Sequence, residues 1–479
     1  MKALHLCSRS QCLWSLFGMA LIGPSGLFAQ EKPPNIVLIL VDDLGWKDVG
    51  FMGSPFYQTP HLDSLAAYSL IFEQAYAGAA NCAPSRAILM SGQHAPRHGI
   101  YTVSPSARGR AEDRKLIPTP NTQYLADSML TLAEALQAGG YVTGTFGKWH
   151  LGFDPLSQGF DINVGGSARG NPGRNGYFSP YKIDHITDGP DGEYLTDRLT
   201  SEAIQFIENQ QDTQFFLYLP FYTVHTPLIG PEALVEKYRG LSPKQGQGHK
   251  PNYAAMIERM DHNVGRILSA LRRLDLQNTL IIFTSDNGGI ASVSRQWPLR
   301  AGKGSYYEGG IRVPLLMHWP GKIAPHQRTQ LPISFLDFFP TILELIDLAP
   351  PQAKVLDGTS LAPYVLGEEA PKAILERPLF WHFPIYLEAY RKGRDDGRDP
   401  LFRTRPGSVI RSGKWKLHQY FEDGALELYD LSQDPGERIN LAAFEPEIRE
   451  AMLGKLGDWR ERYQAPVPDE ANPAYRPRE

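Results

Sequence analysis

Five short stretches of this sequence hold side chains able to do chemistry. Asp42-Asp43 closes the apolar run Asn35–Val41, and Asp286-Asn287 follows a second apolar run, Leu280–Thr284, after one serine. Together these pairs supply three carboxylates and an amide oxygen, a hard oxygen set suited to Ca²⁺, with Mg²⁺ the alternative; zinc would want histidine or thiolate. Taken singly, each pair is an ordinary turn or helix-capping sequence. Lys148 and His150 follow the run Tyr141–Phe146, and His225 follows Gln214–Tyr222. Cys82 precedes Ala83-Pro84-Ser85-Arg86. Proline is favoured in the first turn of a helix, so Cys82 is expected at a helix N-terminus, where the partial positive charge favours an anion. Arg86 would lie one turn further on the same face. Alone, a cysteine so placed is more often a small buried hydrophobe than a nucleophile.

These side chains act together only if the fold gathers them. The apolar, β-branched runs read as buried strands of a parallel sheet. Helical spacing lies between them, around His61–Phe72, at Thr131–Gln137 before Gly139-Gly140, over 195–210 and from Tyr253 to Leu274. In such sheets ligands sit at the carboxyl edge of the strands, so clusters up to about 245 residues apart should converge there. After residue 375 the pattern changes to short runs, Ser408–Ile410, Trp415–Tyr420 and Leu426–Tyr429, separated by turn signals, and then to an amphipathic stretch over 446–463. The expected fold class is α/β: a large mixed, mostly parallel sheet sandwiched by helices, with a smaller C-terminal α+β domain carrying an antiparallel sheet and a helix. The expected divisions are a leader over 1–29, a catalytic domain over 30–375 and a C-terminal subdomain over 376–479.

Composition sets the limits. A chain of 479 residues with 42% hydrophobic and 21% charged residues buries real cores, which excludes disorder and coiled coil. Lys and Arg number 48 against 52 acids, a net charge of -4, so no long-range basic field awaits a nucleic acid. Residues 1–29 carry Lys2 and Arg9, no acid, an apolar run Leu13–Ile22 and Ala29, the order of a secretory signal peptide. The protein is therefore expected to be exported, to a periplasm or the extracellular space, with no integral membrane segment once the leader is removed. Of the three cysteines, Cys7 and Cys12 fall in the leader and Cys82 alone remains, so an internal disulfide is ruled out.

Cys82-Ala83-Pro84-Ser85-Arg86 with Ser91-Gly92 resembles the C-x-P-S-R signature of the type I sulfatases, members of the alkaline phosphatase superfamily. The other blocks of that family appear in the same order. Asp42-Asp43 is similar to the first metal pair, Gly147–Gly152 (GKWHLG) to the G-K-W-H-x-G block, His225-Thr226-Pro227 to H-x-P, Asp286-Asn287-Gly288 to the second metal pair, and Lys303-Gly304 to the late lysine block. The resemblance implies that Cys82 is oxidised to Cα-formylglycine by a formylglycine-generating or anaerobic sulfatase-maturing enzyme, and that the hydrated aldehyde is the nucleophile. It implies a cation held by Asp42, Asp43, Asp286 and Asn287 with the residue derived from Cys82. Arg86, Lys148 and Lys303 would neutralise the sulfuryl oxygens, His225 would protonate the leaving oxygen, and His150 would take a proton from the second hydroxyl; the two histidines could exchange roles. Lys148, His225 and Lys303 thus also count as substrate-binding.

The implied activity is release of inorganic sulfate from an aryl sulfate or, preferred here, a sulfated glycan, by an exo-acting hexose or N-acetylhexosamine sulfatase. Loop aromatics (Tyr177, Phe178, Tyr181, Trp381, Tyr386, Tyr390) are offered for stacking on sugars. Arginines 108, 110, 174, 391, 394, 403 and 405 are offered for further sulfates or carboxylates. Two other classes compete. A phosphodiesterase or phosphonate hydrolase of the same superfamily would normally use Ser or Thr and two metals, and a non-catalytic sulfated-glycan-binding protein would be expected to lack one of the catalytic groups.

Overall fold

Asn35–Val41 is buried at every position, and its side chains divide between two cores: Ile36, Leu38 and Leu40 enter one, Val37, Ile39 and Val41 the other. A strand apolar on both sides must lie inside a sheet covered on both faces. This is β1, and it sits at the middle of a nine-stranded sheet. The computed structural model describes residues 32–103, 105–173, 176–241, 250–294, 296–352, 354–370 and 372–477. The expected leader over 1–29 and Arg174 lie outside the described residues.

The remaining strands are β2 (Leu70–Tyr76), β3 (Val142–Phe146), β4 (Ile162–Val164), β5 (Phe215–Pro220), β6 (Thr279–Ser285), β7 (Arg312–His318), β8 (Gln327–Thr329) and β9 (Ile333–Ser334). Their order is β4-β3-β5-β1-β6-β7-β2-β8, with β9 paired to β2. All pairings are parallel except those of β7, which runs against both β6 and β2. Helices Leu195–Asn209 and Pro251–Arg273 cover one face, their stripes of Leu199, Phe206, Met256, Met260 and Val264 joining the core of Val37 and Ile39. Helices Cys82–Ser91, Leu132–Ala138 and Phe338–Leu345 cover the other face. The expected α/β class, a mostly parallel sheet between helices, is what the chain forms.

One element differs from its sequence reading. The helix expected around His61–Phe72 ends at Ala66, and Leu70–Tyr76 is strand β2. Helical spacing runs through Leu62, Leu65 and Ala66, but from Leu70 onward successive side chains go to opposite faces, Leu70 and Phe72 to one core and Ile71 to the other.

Toward the C-terminus, Leu379–Phe383, Gly407–Ser412, Trp415–Tyr420 and Leu426–Asp430 form an antiparallel sheet, and helix Pro446–Tyr463 packs Met452 and Leu456 onto its Ile410, Leu417 and Leu428. A small two-stranded ribbon, Leu387–Glu388 with Phe402–Thr404, stands beside it. Residues Pro33–Glu479 make one compact unit. Among the described residues no helix is long and apolar enough to cross a membrane.

Candidate active site

Strands β3, β5, β1 and β6 are neighbours, and each delivers one of the reactive clusters from its carboxyl end. Asp42 and Asp43 follow β1, Asp286 and Asn287 follow β6, Lys148 and His150 follow β3, and His225 follows β5. Asp43 Oδ1 accepts from Asn287 Nδ2 at 2.8 Å, and the Asp43 backbone N–H donates to Asp286 Oδ1 at 3.2 Å, so the two pairs meet across a sequence separation of more than 240 residues. Asp43 and His150 hold left-handed backbone at φ 63° and 64°, a strained conformation that persists at sites the surrounding structure over-determines. Gly147, at φ 132°, lets the chain press against the Pro220 carbonyl, where any Cβ would collide, and the next N–H, of Lys148, bonds that same oxygen at 2.7 Å.

Cys82 is the first residue of helix Cys82–Ser91, after the extended Asn81. Its Sγ lies 3.1 Å from Lys303 Nζ and 3.5 Å from Asp42 Oδ1. Burial, opposed by Lys148 and Lys303, pushes the thiol up to about 12. An unmodified Cys82 is thus a neutral thiol at physiological pH, without the thiolate that nucleophilic sulfur chemistry needs.

Lysines pair with the carboxylates of Asp42 and Asp43. Lys148 Nζ sits 2.7 Å from Asp42 Oδ2 and Lys303 Nζ 2.8 Å from Asp43 Oδ2. Arg86 is fully buried and points its Nε at Asp286 Oδ2 and its Nη1 at the Lys148 carbonyl, 2.8 and 2.5 Å away. Nε and Nη1 thus clamp Asp286 and the β3 loop together, while the buried Nη2 is left without a hydrogen bond, a donor that the expected sulfuryl oxygen would take.

His225 donates from Nδ1 to the Thr226 carbonyl at 2.6 Å, and its Nε2 faces Asp43 Oδ2 at 3.7 Å. Burial, with Lys303 adding to it, pulls this imidazole down to about 3. Burial and the nearby Lys148 also hold His150 well below the usual range, and its buried Nδ1 has no partner. The loop carrying His225 is held by a residue whose role the sequence reading missed. Tyr177 is wholly buried, and its hydroxyl sits 2.7 Å from the Tyr222 carbonyl and 2.9 Å from that of His225.

The donor set fits a hard cation. Asn287 Oδ1 is buried with no hydrogen-bond partner, an oxygen left without a donor among charged neighbours. Burial pushes the Asp42 carboxyl up to about 7; Lys148 and Arg86 oppose this, while Asp286 and Asp43 add to it. Ligand atoms of Asp42, Asp43, Cys82 and His225 all lie within 4.8 Å of one another. Asp286 and Asn287 adjoin this group through their hydrogen bonds with Asp43, and carboxylate and amide oxygens are the donors that Ca²⁺ or Mg²⁺ takes.

A family model described as Sulfatase matches residues 34–348, the span that holds every residue of this cluster. The chain belongs to the sulfatase family. A second model, the C-terminal region of N-sulphoglucosamine sulphohydrolase, matches residues 302–458. The sulfatase is 33% identical to a Formosa agariphila protein described as a sulfatase, over 94% of both chains. It is 31% identical to human N-acetylgalactosamine-6-sulfatase, over 92% of this chain and 88% of that one. The solved structure of Ps i-CgsB in complex with k-i-k-neocarrahexaose superimposes with a TM-score of 0.72 at 29% identity, covering 91% of this chain and 94% of that one. The protein is a sulfuric ester hydrolase.

Not every residue offered for substrate contact is free to make it. Tyr177, Tyr181, Trp381 and Tyr386 are buried in the body of the sulfatase, Phe178 is half-buried, and Tyr390, 45% exposed, presents the most open ring of the six. Arg108 is spent on Glu388, Arg110 on Glu112, and Arg405 on Asp399 and Glu422. Arg403 is buried and donates to the Lys303 carbonyl at 3.2 Å. Folding used these side chains for internal pairing, which neither their type nor their spacing reveals.

Proposed function

We propose that this sulfatase releases sulfate from a sulfated carbohydrate, through formylglycine made from Cys82 and with a divalent cation held by Asp42, Asp43, Asp286 and Asn287. The observation that carries this is the place of Cys82: a helix N-terminus, with Sγ 3.1 Å from one lysine of the site and 3.5 Å from a carboxylate whose other oxygen binds the second lysine. The cation, when bound, supplies positive charge that polarises a sulfuryl oxygen and acidifies the attacking hydroxyl. Hydration of the aldehyde places two hydroxyls where Sγ stands. One attacks sulfur in line with the departing alcohol as its proton passes to the Asp42 carboxylate, whose Oδ1 lies 3.5 Å from that position, and loss of the proton from the other expels sulfate and restores the aldehyde, which a serine could not do.

Lys148 and Lys303 flank that position and meet the sulfuryl oxygens in a water-poor setting, where their charge acts strongly on the transition state. Arg86 keeps Asp286 and the β3 loop in register with them. His225, with Nδ1–H committed to the Thr226 carbonyl, must first take up a proton at Nε2, the atom facing the site, and then delivers it to the leaving oxygen; His150 accepts the proton of the second hydroxyl. A hexose or N-acetylhexosamine sulfate as substrate is supported by the relative named N-acetylgalactosamine-6-sulfatase and by the similar structure in complex with k-i-k-neocarrahexaose, and the reading takes the attack to be exo. The reading includes export by the leader and maturation by a formylglycine-forming enzyme.

Matured protein should release sulfate from 4-nitrophenyl sulfate and from one of a panel of defined sulfated sugars. It should cleave 4-nitrophenyl phosphate far more slowly. Phosphate cleavage faster than sulfate cleavage would instead place it with the phosphoesterases of the superfamily.

A further inference from the structure

The turn that joins the two strands of the small ribbon reads in sequence as a solvated mixture, with four bases and three acids over Arg391–Asp399. Folding separates the signs. The Asp395 carboxylate is buried and accepts from the backbone N–H groups of Tyr390 and Arg391 at 2.5 and 3.4 Å. Asp396 pairs with Arg438 at 2.7 Å and Asp399 with Arg405 at 2.6 Å, while Arg398 faces Glu427 at 3.8 Å and Asp423 at 2.5 Å. Asp396 and Asp399 are thereby paired with arginines outside the exposed triplet, and Asp395 is turned inward, held by two backbone N–H groups on Oδ2 while its buried Oδ1 has no hydrogen-bond partner. Arg391, Lys392 and Arg394 are left exposed and, among the described residues, have no ion pair. Three exposed cations thus stand against one buried carboxylate, and the turn is locally positive in a chain of net charge -4.

The turn stands beside the catalytic cluster. Arg403 is buried and lies with its guanidinium carbon 3.6 Å from the centroid of the Tyr390 ring, while its nitrogens donate to the Lys303 carbonyl at 3.2 Å and to the Glu388 carbonyl at 2.9 Å. One guanidinium thus ties the open tyrosine to the backbone of the site lysine. Gly304, at φ 85°, makes room for it, because a Cβ there would stand 2.6 Å from the Arg403 nitrogen. The arginine also fixes the ring from behind, which lowers the entropy lost when the other face is covered.

We propose that Tyr390 with Arg391, Lys392 and Arg394 forms an oligosaccharide subsite, in which the ring stacks on the sugar carrying the scissile sulfate and the cations take the sulfate or carboxylate of the next sugar. This rests on the sulfated-carbohydrate reading and narrows it. The substrate class becomes an oligosaccharide with anionic groups on consecutive residues, and not an isolated monosulfated sugar. Arginine offers a planar fork for two anion oxygens, and three cations on an exposed turn make an attraction that salt weakens.

The test uses the matured full chain with 4-nitrophenyl sulfate and with tetrasaccharides of chondroitin 6-sulfate, heparin and ι-carrageenan. On the tetrasaccharide that the wild type cleaves best, the variant R391A/K392A/R394A should lower the ratio of its kcat/KM to that on 4-nitrophenyl sulfate by at least about tenfold. The same variant should flatten the fall of tetrasaccharide kcat/KM between about 50 and about 300 mM NaCl. Tyr390→Ala should raise KM for the tetrasaccharide more than it lowers kcat, and Tyr390→Phe should restore it. An unchanged ratio, or an unchanged salt dependence, overturns the subsite. A wild type that cleaves 4-nitrophenyl sulfate but no tetrasaccharide overturns the subsite and leaves the sulfatase chemistry standing, whereas one that cleaves no sulfate ester overturns the function it rests on.

Discussion

Two buried charge clusters approach each other in sequence only at Lys303 and Glu308, and they differ in how fully their carboxylates are engaged. One is the cluster around Cys82. The other joins Glu308, just before β7, to Lys416, His418 and Glu437 of the C-terminal region, all of them buried. Burial alone raises a carboxyl group, and in both clusters it is the largest influence. Yet Asp42 is pushed up to about 7, while at Glu308 burial is outweighed by Lys416, Arg312 and Arg411, which hold it down to about 2; Asp43, beside Asp42, follows Glu308, its burial outweighed by Lys303, His225 and Lys148.

The difference lies in the second oxygen. Glu308 Oε1 meets Lys416 Nζ at 2.9 Å and Oε2 accepts from the Tyr76 hydroxyl at 2.8 Å, and both Glu437 oxygens are likewise engaged, one by Lys416 and His418 and one by the Glu308 N–H. Asp42 Oδ2 has Lys148, but Oδ1 meets only a thiol at 3.5 Å and Arg86 at 4.0 Å. The saturated cluster is a brace between sheet and C-terminal region; the unsaturated one has oxygen atoms to spare for a cation and a substrate.

The largest expected effect comes from the unsaturated side. Cys82→Ala should reduce sulfate release by at least about a thousandfold, because the nucleophile is lost, while thermal melting stays near the wild-type value. The next comes from the brace. Lys416→Met leaves two buried carboxylates without their ammonium and should cost about 3–5 kcal/mol of unfolding free energy by denaturant titration. Asp42→Asn should act the other way round. It should remove calcium-dependent stabilisation, on the order of 3 to 4 kcal/mol when free calcium exceeds Kd by about 100- to 1,000-fold, with little change in metal-free melting. If Asp42→Asn and Lys416→Met proved equally destabilising without calcium, the contrast between the clusters would fail.

A smaller effect separates the clusters by pH. The folded-state value of Glu308 is depressed, so its stabilising contribution is present above its usual value of 4.5 and is lost as pH falls toward about 2. Denaturant midpoints should therefore fall between these limits, and Glu308→Gln should make that fall shallower. The smallest effect is expected at the partly exposed Arg108–Glu388 pair, where Arg108→Gln should change stability by about 0–1 kcal/mol.

The reactive site was more legible in the sequence than the brace, for a physical reason. Asp42-Asp43, Lys148, His225 and Asp286-Asn287 each follow a run that reads as a buried strand, so the topology of a parallel sheet predicts their meeting without any contact being known. Glu308, Lys416 and Glu437 carry no such marker. They join across 108 and 129 residues through a hydrogen bond and an ion pair that no local pattern announces. Strand β2 was hidden because helical spacing continues up to Ser69 before the period changes, and the use of Arg86 as a clamp was hidden because a signature arginine looks the same whichever anion it faces.

The placement of Cys82 at the centre of a sulfate-ester site is tested most directly by measuring the mass of the peptide that contains Cys82, in protein whose sulfate release has been quantified in parallel. The expected result is that the fraction of peptide in which the thiol carbon has become an aldehyde equals the fraction of active sites across preparations of differing maturation. Full sulfatase turnover from protein whose Cys82 remains entirely a thiol would contradict it.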